Sequence, residues 1–328
     1  MRIALILPYF GHFDTLFPLW LESCRYNTDI NWIIFTDDTR AFDYPHNVKV
    51  IYRSFEQMRE RIQSLYDFKI ALDAPYRLCN FRPAFGEIFK EELSGFDAWG
   101  FCDNDMLFGR LSANMPKVEA KYKIGAYGHL SFVPNTKEVR TLYRYKDAFK
   151  IAFRHSELLF FDEDAFPKIL QHNGYSIYRL HIADFKPRLK WHFVLSEPGR
   201  EWMNKAHCFV WNRGILWRYY VNNENTIDKE EYVYIHFLKR PMEIEENIEL
   251  DKPIVIVPNK IFNMDLSEIT PSFLRRVSRK GIFWAYWKNS FRPRNFIERI
   301  KNRLYQKKRD VAMINKMEEM IDETNRMD

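Results

Sequence analysis

The sequence predicts an α/β protein with a Rossmann-like, mostly parallel central sheet and a mixed second half. Three observations predict it. Residues 2–7 are nearly all apolar, as in a strand buried on both faces. Strand and helix patterns then alternate in the order β-α-β-loop-β-α. A later strand, residues 97–102 (DAWGFC), runs straight into Asp103-Asn104-Asp105.

Taken in order, residues 13–25 set Leu16, Phe17, Trp20, Leu21 and Cys24 at helical spacing. Residues 31–36 (NWIIFT) form a second buried strand, stopped by Asp37-Asp38, and residues 48–52 a third. Helices are expected over 55–66 and 83–93, the latter opening on Pro83, which the first turn of a helix tolerates. Residues 124–133 read as a strand pair or a strand and loop. Helices follow over 136–153 and 163–172. Short strands are expected at 176–181, 208–211, 219–221 and 232–237, in a more antiparallel second half. The texture changes near residue 270, so the reading is a domain over 1–270 and a separate basic, aromatic and helical segment over 271–328.

Several classes are excluded by what is missing. No run of eighteen apolar residues is present, so no membrane-spanning helix is expected. The chain has no GxxxxGK[ST], no GxGxxG after its first strand, no GxSxG and no HExxH. Cys24, Cys79, Cys102 and Cys208 are far apart with no CxxC pair, which fits buried thiols in a reducing compartment. The apolar start is short and lacks a small-residue cleavage site, so it reads as a strand and a cytoplasmic location is expected.

In an extended segment residues i and i+2 point to one side, so Asp103 and Asp105 can present two carboxylates to one point. Open α/β sheets bind ligands beyond the C-terminal edge of their strands. Two hard oxygen ligands suit Mg²⁺ or Mn²⁺, with diphosphate oxygens completing the shell. Acidic groups inside so apolar a run are costly unless paired or metal-bound. Asp-x-Asp at a strand end also serves as a polar turn. A second clue is the apolar run 232–237 (YVYIHF), in which His236 could be a third metal ligand or a hydrogen-bonded core residue. Lys239 and Arg240 follow, either as diphosphate-binding cations or as a solvated turn.

These residues resemble a family. Arg82-Pro83-Ala84-Phe85, followed by Trp99 to Gly109 with its Asp-x-Asp, is similar to the corresponding block of GT-A glycosyltransferases of families 8 and 32. More closely, the run Leu78-Cys79-Asn80-Phe81-Arg82-Pro83 with this triplet resembles a group of bacterial glycosyltransferase-like proteins found with polysaccharide biosynthesis genes. The run His236 to Pro241 resembles the late His/Lys motif of family 8, without its glycine. The resemblance covers about residues 1–245. It implies a GT-A fold and transfer from a nucleotide sugar, a UDP-hexose, with Mn²⁺ or Mg²⁺ held by Asp103, Asp105 and His236. It implies that Tyr9, after the first strand, and Asp37-Asp38, after the second, flank the nucleobase and ribose. Arg82 and Lys239 would reach the donor phosphates or sugar. The likeness to family 8 favours a retaining reaction.

The acidic run Phe161-Asp162-Glu163-Asp164 offers Asp162 as a helix N-cap with Glu163 and Asp164 in the first turn. Its functional alternative puts Glu163 or Asp164 at the acceptor hydroxyl or beside the anomeric carbon. Tyr127-Gly128-His129 would line the same cleft, the glycine allowing close approach.

The net charge of +6 is unevenly spread. Residues 272–310 hold thirteen Lys/Arg against two Asp/Glu, so the rest of the chain is net negative. Clustered aromatics among these cations fit an in-plane helix on an anionic membrane, where lipid-linked glycan acceptors lie, or a packed helix with a solvated basic face. No nucleic-acid module accompanies the basic run. Val311, Ile314, Met317 and Ile321 continue an apolar stripe, which fits a homo-oligomerisation helix. Two other functions remain open: a metal-dependent nucleotidyl- or phosphoryl-transferase on the same aspartates, and a non-catalytic nucleotide-sugar-binding protein.

Overall fold

The opening apolar run forms β1 (Ile3–Pro8), buried along most of its length. Helix α1 (Phe17–Arg25) returns the chain to β2 (Ile30–Thr36), which pairs parallel with β1, and β3 (Val48–Tyr52) pairs parallel with β2. The computed structural model describes residues 2–115, 121–156, 158–184, 206–238, 242–279 and 315–321. Helix α2 (Phe55–Gln63) starts at Ser54, whose hydroxyl accepts from the Gln57 N–H while the Gln57 side chain accepts from the Ser54 N–H.

Strand β4 (Ala98–Cys102) pairs parallel with β1 on the side away from β2. Beyond it, β5 (Met106–Phe108) leaves the sheet. The strands β6 (Tyr122–Ile124), β7 (Leu130–Pro134) and β8 (Ser176–Tyr178) complete it in the order β3-β2-β1-β4-β7-β6-β8. The β4–β7 and β7–β6 pairings are antiparallel, and the remaining neighbours are parallel. The sheet is thus parallel through β4 and mixed beyond it, in an α/β fold.

Two expected helices are broken. In place of one helix over 83–93 the chain forms α3 (Leu78–Phe81), a 3₁₀ turn (Arg82–Ala84) and α4 (Phe85–Ile88). Pro83 lacks the N–H that a helix continuing from α3 would use. The expected helix over 136–153 splits into α5 (Lys137–Thr141), a 3₁₀ segment (Leu142–Asp147) and α6 (Ala148–Arg154). Lys146 and Asp147 have φ of 47° and 60°, and left-handed residues cannot extend a right-handed helix. The break leaves Tyr143 and Phe149 both buried in the same core. There the Tyr143 hydroxyl donates to Glu87 and shares a 2.8 Å hydrogen bond with that of Tyr66.

Helix α7 (Ala165–His172) leads toward β8. The chain continues through β9 (Ala183–Asp184), β10 (His207–Asn212), β11 (Ile215–Val221), β12 (Ile227–Tyr232) and β13 (Tyr234–His236). It ends its strands with β14 (Glu243–Ile244), β15 (Ile254–Val257) and β16 (Lys260–Asn263). Six of these make a second sheet, β12-β11-β10-β15-β16-β14. The single strand expected over 232–237 is two strands. Tyr232 ends β12 in the second sheet, the Val233 N–H donates to the His181 carbonyl, and β13 begins in a third sheet, β5-β13-β9.

Helix α8 (Pro271–Arg279) packs Phe273 and Leu274 on Cys208, Val210 and Val255 of the second sheet. A helix at 315–321 buries Met317 and Ile321 in the core beneath α7, with Glu318 paired to Lys168. That end of the apolar stripe, expected as an oligomerisation face, is covered by the chain's own core. Residues 280–314, which carry most of the basic and aromatic cluster, lie outside the described residues. No disulfide joins the four cysteines. Among the described residues no helix is long and apolar enough to cross a membrane.

Candidate metal centre

The three-stranded sheet is what assembles the site. Buried strand β4 ends in Asp103-Asn104-Asp105, and β5 starts on the next residue. Strand β13 pairs antiparallel with β5, setting His236 opposite Met106, next to Asp105. The Phe237 N–H donates to the Asp105 carbonyl at 2.8 Å and extends that ladder. Strand β9 pairs parallel with β13 and puts Asp184 beside His236. On the opposite flank the Asp103 N–H donates to the His129 carbonyl at 2.9 Å, just ahead of β7. Three short strands therefore bring Asp105, His236 and Asp184 to one end, where β4 delivers Asp103.

The side chains converge. His236 Nε2 lies 3.6 Å from Asp103 Oδ2 and 3.5 Å from Asp105 Oδ1. Its Nδ1 donates to Asp184 Oδ1 at 2.9 Å. A ligand atom from each of Asp103, Asp105 and His236 lies within 4.8 Å of the other two. Carboxylate oxygens with one imidazole suit Mn²⁺ or Mg²⁺. The Asp184–His236 bond fixes the ring so that Nε2 faces the aspartates, the usual support of a metal-bound histidine. Burial opposes charge on His236, but Asp105, Asp184 and Asp103 outweigh it and push its pKa up to about 10. Without an ion the carboxylates therefore favour the protonated ring, and a divalent cation would have to displace its Nε2 proton.

Arg82 ties this centre to the acidic run. Its guanidinium bonds Asp103 Oδ1, Asp162 Oδ2 at 3.1 Å and the Gly128 carbonyl at 2.8 Å. It also lies over the Phe101 ring at 5.3 Å. Burial works against its charge, yet Asp103 and Asp162 hold it protonated. Asp162 is buried, and burial raises its pKa against the pull of Arg82. Glu163 Oε1 accepts from the Gly128 N–H at 3.1 Å. Glu163 opens to the cleft but is crowded by protein behind. Desolvation, with Asp162 beside it, pushes its carboxyl up to about 7. A Cβ on Gly128 would meet Glu163 Oε1 at 2.6 Å and Asp162 Oδ2 at 2.7 Å, so this glycine admits both carboxylates.

These groups line a cleft of about 660 Å³ at the C-terminal ends of β1 and β4. Phe160 and Leu238 at its wall have φ of 51° and 52°, a strained backbone of the kind that gathers at functional sites. Tyr9 lines it, its hydroxyl donating to the His12 carbonyl and its ring stacked on Phe13 at 4.5 Å. Arg82, Asp103, Asp105, Glu163 and His236 line it as well.

Three of the expected residues stand elsewhere. Asp37 and Asp38 do not line the cleft; they pin the loop after β1, Asp37 accepting from the Gly11 N–H and Asp38 from the Phe13 N–H and the Arg40 guanidinium. That Arg40 pairing holds the Asp38 carboxyl well below the usual carboxylate range. Asp164 occupies the N-cap position of α7 without a capping bond and does not line the cleft. Asp162, expected as an N-cap, is instead the buried partner of Arg82. Lys239 and Arg240 lie outside the described residues. Asp184 carries no comparable sign of a buried strand end in the sequence, since only two apolar residues, Ile182 and Ala183, precede it.

No match to the chain is found among curated proteins. Residues 5–265, which span nearly all of the first two sheets and every residue of the centre, match a family of unknown function (DUF6625), and the chain belongs to that family.

Proposed function

We propose that the chain is a GT-A type glycosyltransferase that moves a sugar from a nucleotide sugar, a UDP-hexose, to a glycan or lipid-linked acceptor. The observation that carries the reading is the convergence of Asp103, Asp105 and His236 in a cleft at the C-terminal edge of a parallel half-sheet. These three residues would hold Mn²⁺ or Mg²⁺. When bound, the ion supplies Lewis-acid neutralisation of the diphosphate leaving group.

The remaining roles belong to the chain itself. Arg82 locks Asp103 in place while Asp103 Oδ2 faces the centre. Tyr9, at the end of β1, offers an aromatic wall for the nucleobase. Glu163 is the carboxyl group poised for the acceptor hydroxyl or the anomeric carbon, and its raised pKa suits proton transfer near neutrality. The basic residues 272–310 would bring the enzyme to an anionic membrane surface, on the cytoplasmic side, where lipid-linked acceptors lie.

The test is to incubate the full chain with Mn²⁺ and a panel of nucleotide sugars and to identify the released product. Release of UDP supports sugar transfer. Release of pyrophosphate would make it a nucleotidyl transferase, and binding without turnover of any donor would make it a non-catalytic nucleotide-sugar-binding protein.

A further inference from the structure

Beside the Asp103-Asp105-His236 set lies a second set of donors, in which His129, Asp184 and His236 each offer a ligand atom within 4.8 Å of the others. His129 is buried, its ring centroid is 4.2 Å from that of His236, and its Nε2 has no hydrogen-bond partner. A buried imidazole nitrogen left without a partner is costly, and such atoms call for an explanation. Its ring belongs to the wall of the same cleft.

We propose that this second set is an alternative seat for a zinc-class ion, and that its occupation excludes Mn²⁺ or Mg²⁺ from the first. Two features of the donors lead there. The first seat has two carboxylates and one imidazole, a hard, oxygen-rich set. The second has two imidazoles and one carboxylate, the N-rich set that zinc, nickel and copper prefer. Tetrahedral ligands about 2.1 Å from zinc lie roughly 3.4 Å apart, so donors within 4.8 Å close on it with small side-chain shifts.

Exclusion follows from His236, which belongs to both sets. A neutral imidazole carries one N–H and one lone pair, so it ligates one ion at a time. A zinc ion taking His236 and Asp184 removes the hydrogen bond that aims Nε2 at Asp103 and Asp105. Two dications side by side would also repel. Neither seat depends on which group the enzyme transfers.

The experiment uses the full chain stripped by a chelator and dialysed. Mn²⁺ binding is read from the free-ion paramagnetic resonance signal, and Zn²⁺ binding from competition with a chromophoric chelator. The wild type is expected to bind either ion and to release Mn²⁺ as Zn²⁺ is added. His129→Phe keeps a ring of similar breadth and removes the donor. It should weaken Zn²⁺ at least about tenfold and change Mn²⁺ affinity less than about threefold. Asp105→Ala should do the reverse. His129→Ala serves as a second variant should the Phe side chain disturb the fold. Unchanged Zn²⁺ affinity in the folded His129 variants would overturn the proposal, since zinc would then sit with Asp103 and Asp105. So would simultaneous binding of both ions to the wild type.

Discussion

His236 and Asp184 are joined across the β13–β9 pairing by a 2.9 Å hydrogen bond from Nδ1 to Oδ1. One histidine nitrogen is thereby committed to a carboxylate and the other is turned to Asp103 and Asp105. Asp184→Asn keeps an acceptor at this position and removes its charge. Mn²⁺ affinity is expected to fall about 10- to 100-fold with the fold intact, measured by titration calorimetry beside a thermal melt.

Arg82 bridges Asp103 and the buried Asp162. Arg82→Met would leave the Asp162 carboxylate without its cation. Breaking a buried pair from one side costs roughly 3–5 kcal/mol, so the urea midpoint should fall markedly at neutral pH. Adding Asp162→Asn to Arg82→Met should recover much of that loss, because no buried charge then lacks a partner.

Glu163 sets a pH dependence. Its carboxyl is pushed up to about 7 by desolvation and by Asp162, so the carboxylate is the minor form below that pH and the major form above it. If the carboxylate takes the acceptor proton, turnover rises with pH and reaches half its plateau near 7. Glu163→Gln should lower turnover and remove that limb. The same shift carries a stability sign: the folded state holds the proton more tightly than the unfolded chain. Glu163 therefore contributes a loss of stability as pH rises from the unfolded carboxyl range through about 7, and Glu163→Gln should flatten that slope.

Gly100 lies in β4, where a Cβ would meet the Ser131 carbonyl oxygen at 1.8 Å. That neighbour is backbone of the paired strand β7 and cannot swing aside. Gly100→Ala is expected to part β4 from β7 and yield insoluble or unfolded protein in an expression and solubility assay. At Gly128 the nearest atoms to an added Cβ belong to side chains, Glu163 Oε1 and Cγ and Asp162 Oδ2, so for Gly128→Ala it is side chains that must shift. This variant should fold, at a cost of about 1–3 kcal/mol, with Glu163 displaced and turnover reduced.

The parallel half of the fold was legible because each of its strands is a local apolar run with a polar stop. β1, β2, β3 and β4 lie within about two residues of where their sequences place them. Asp103 and Asp105 were legible for the same reason, as acids at the end of an unmistakable buried strand. His236 stood out as the polar member of an apolar run. Its neighbour Asp184 did not, because β9 is two residues long and exists only through its pairing with β13. The helix break at Lys146-Asp147 involves no glycine or proline; it lies between Tyr143 and Phe149, which are buried in one core. The burial of Asp162 was hidden because Arg82, its counter-ion, lies far away in sequence.

Mn²⁺ binding with and without UDP reports whether a divalent ion is held by Asp103, Asp105 and His236. Titration calorimetry on the wild type should show one ion per chain, bound more tightly when UDP is present, and Asp105→Ala should lose both the ion and the UDP effect. An Asp105→Ala protein that is folded and binds Mn²⁺ and UDP as the wild type does would rule out a metal centre at Asp103, Asp105 and His236.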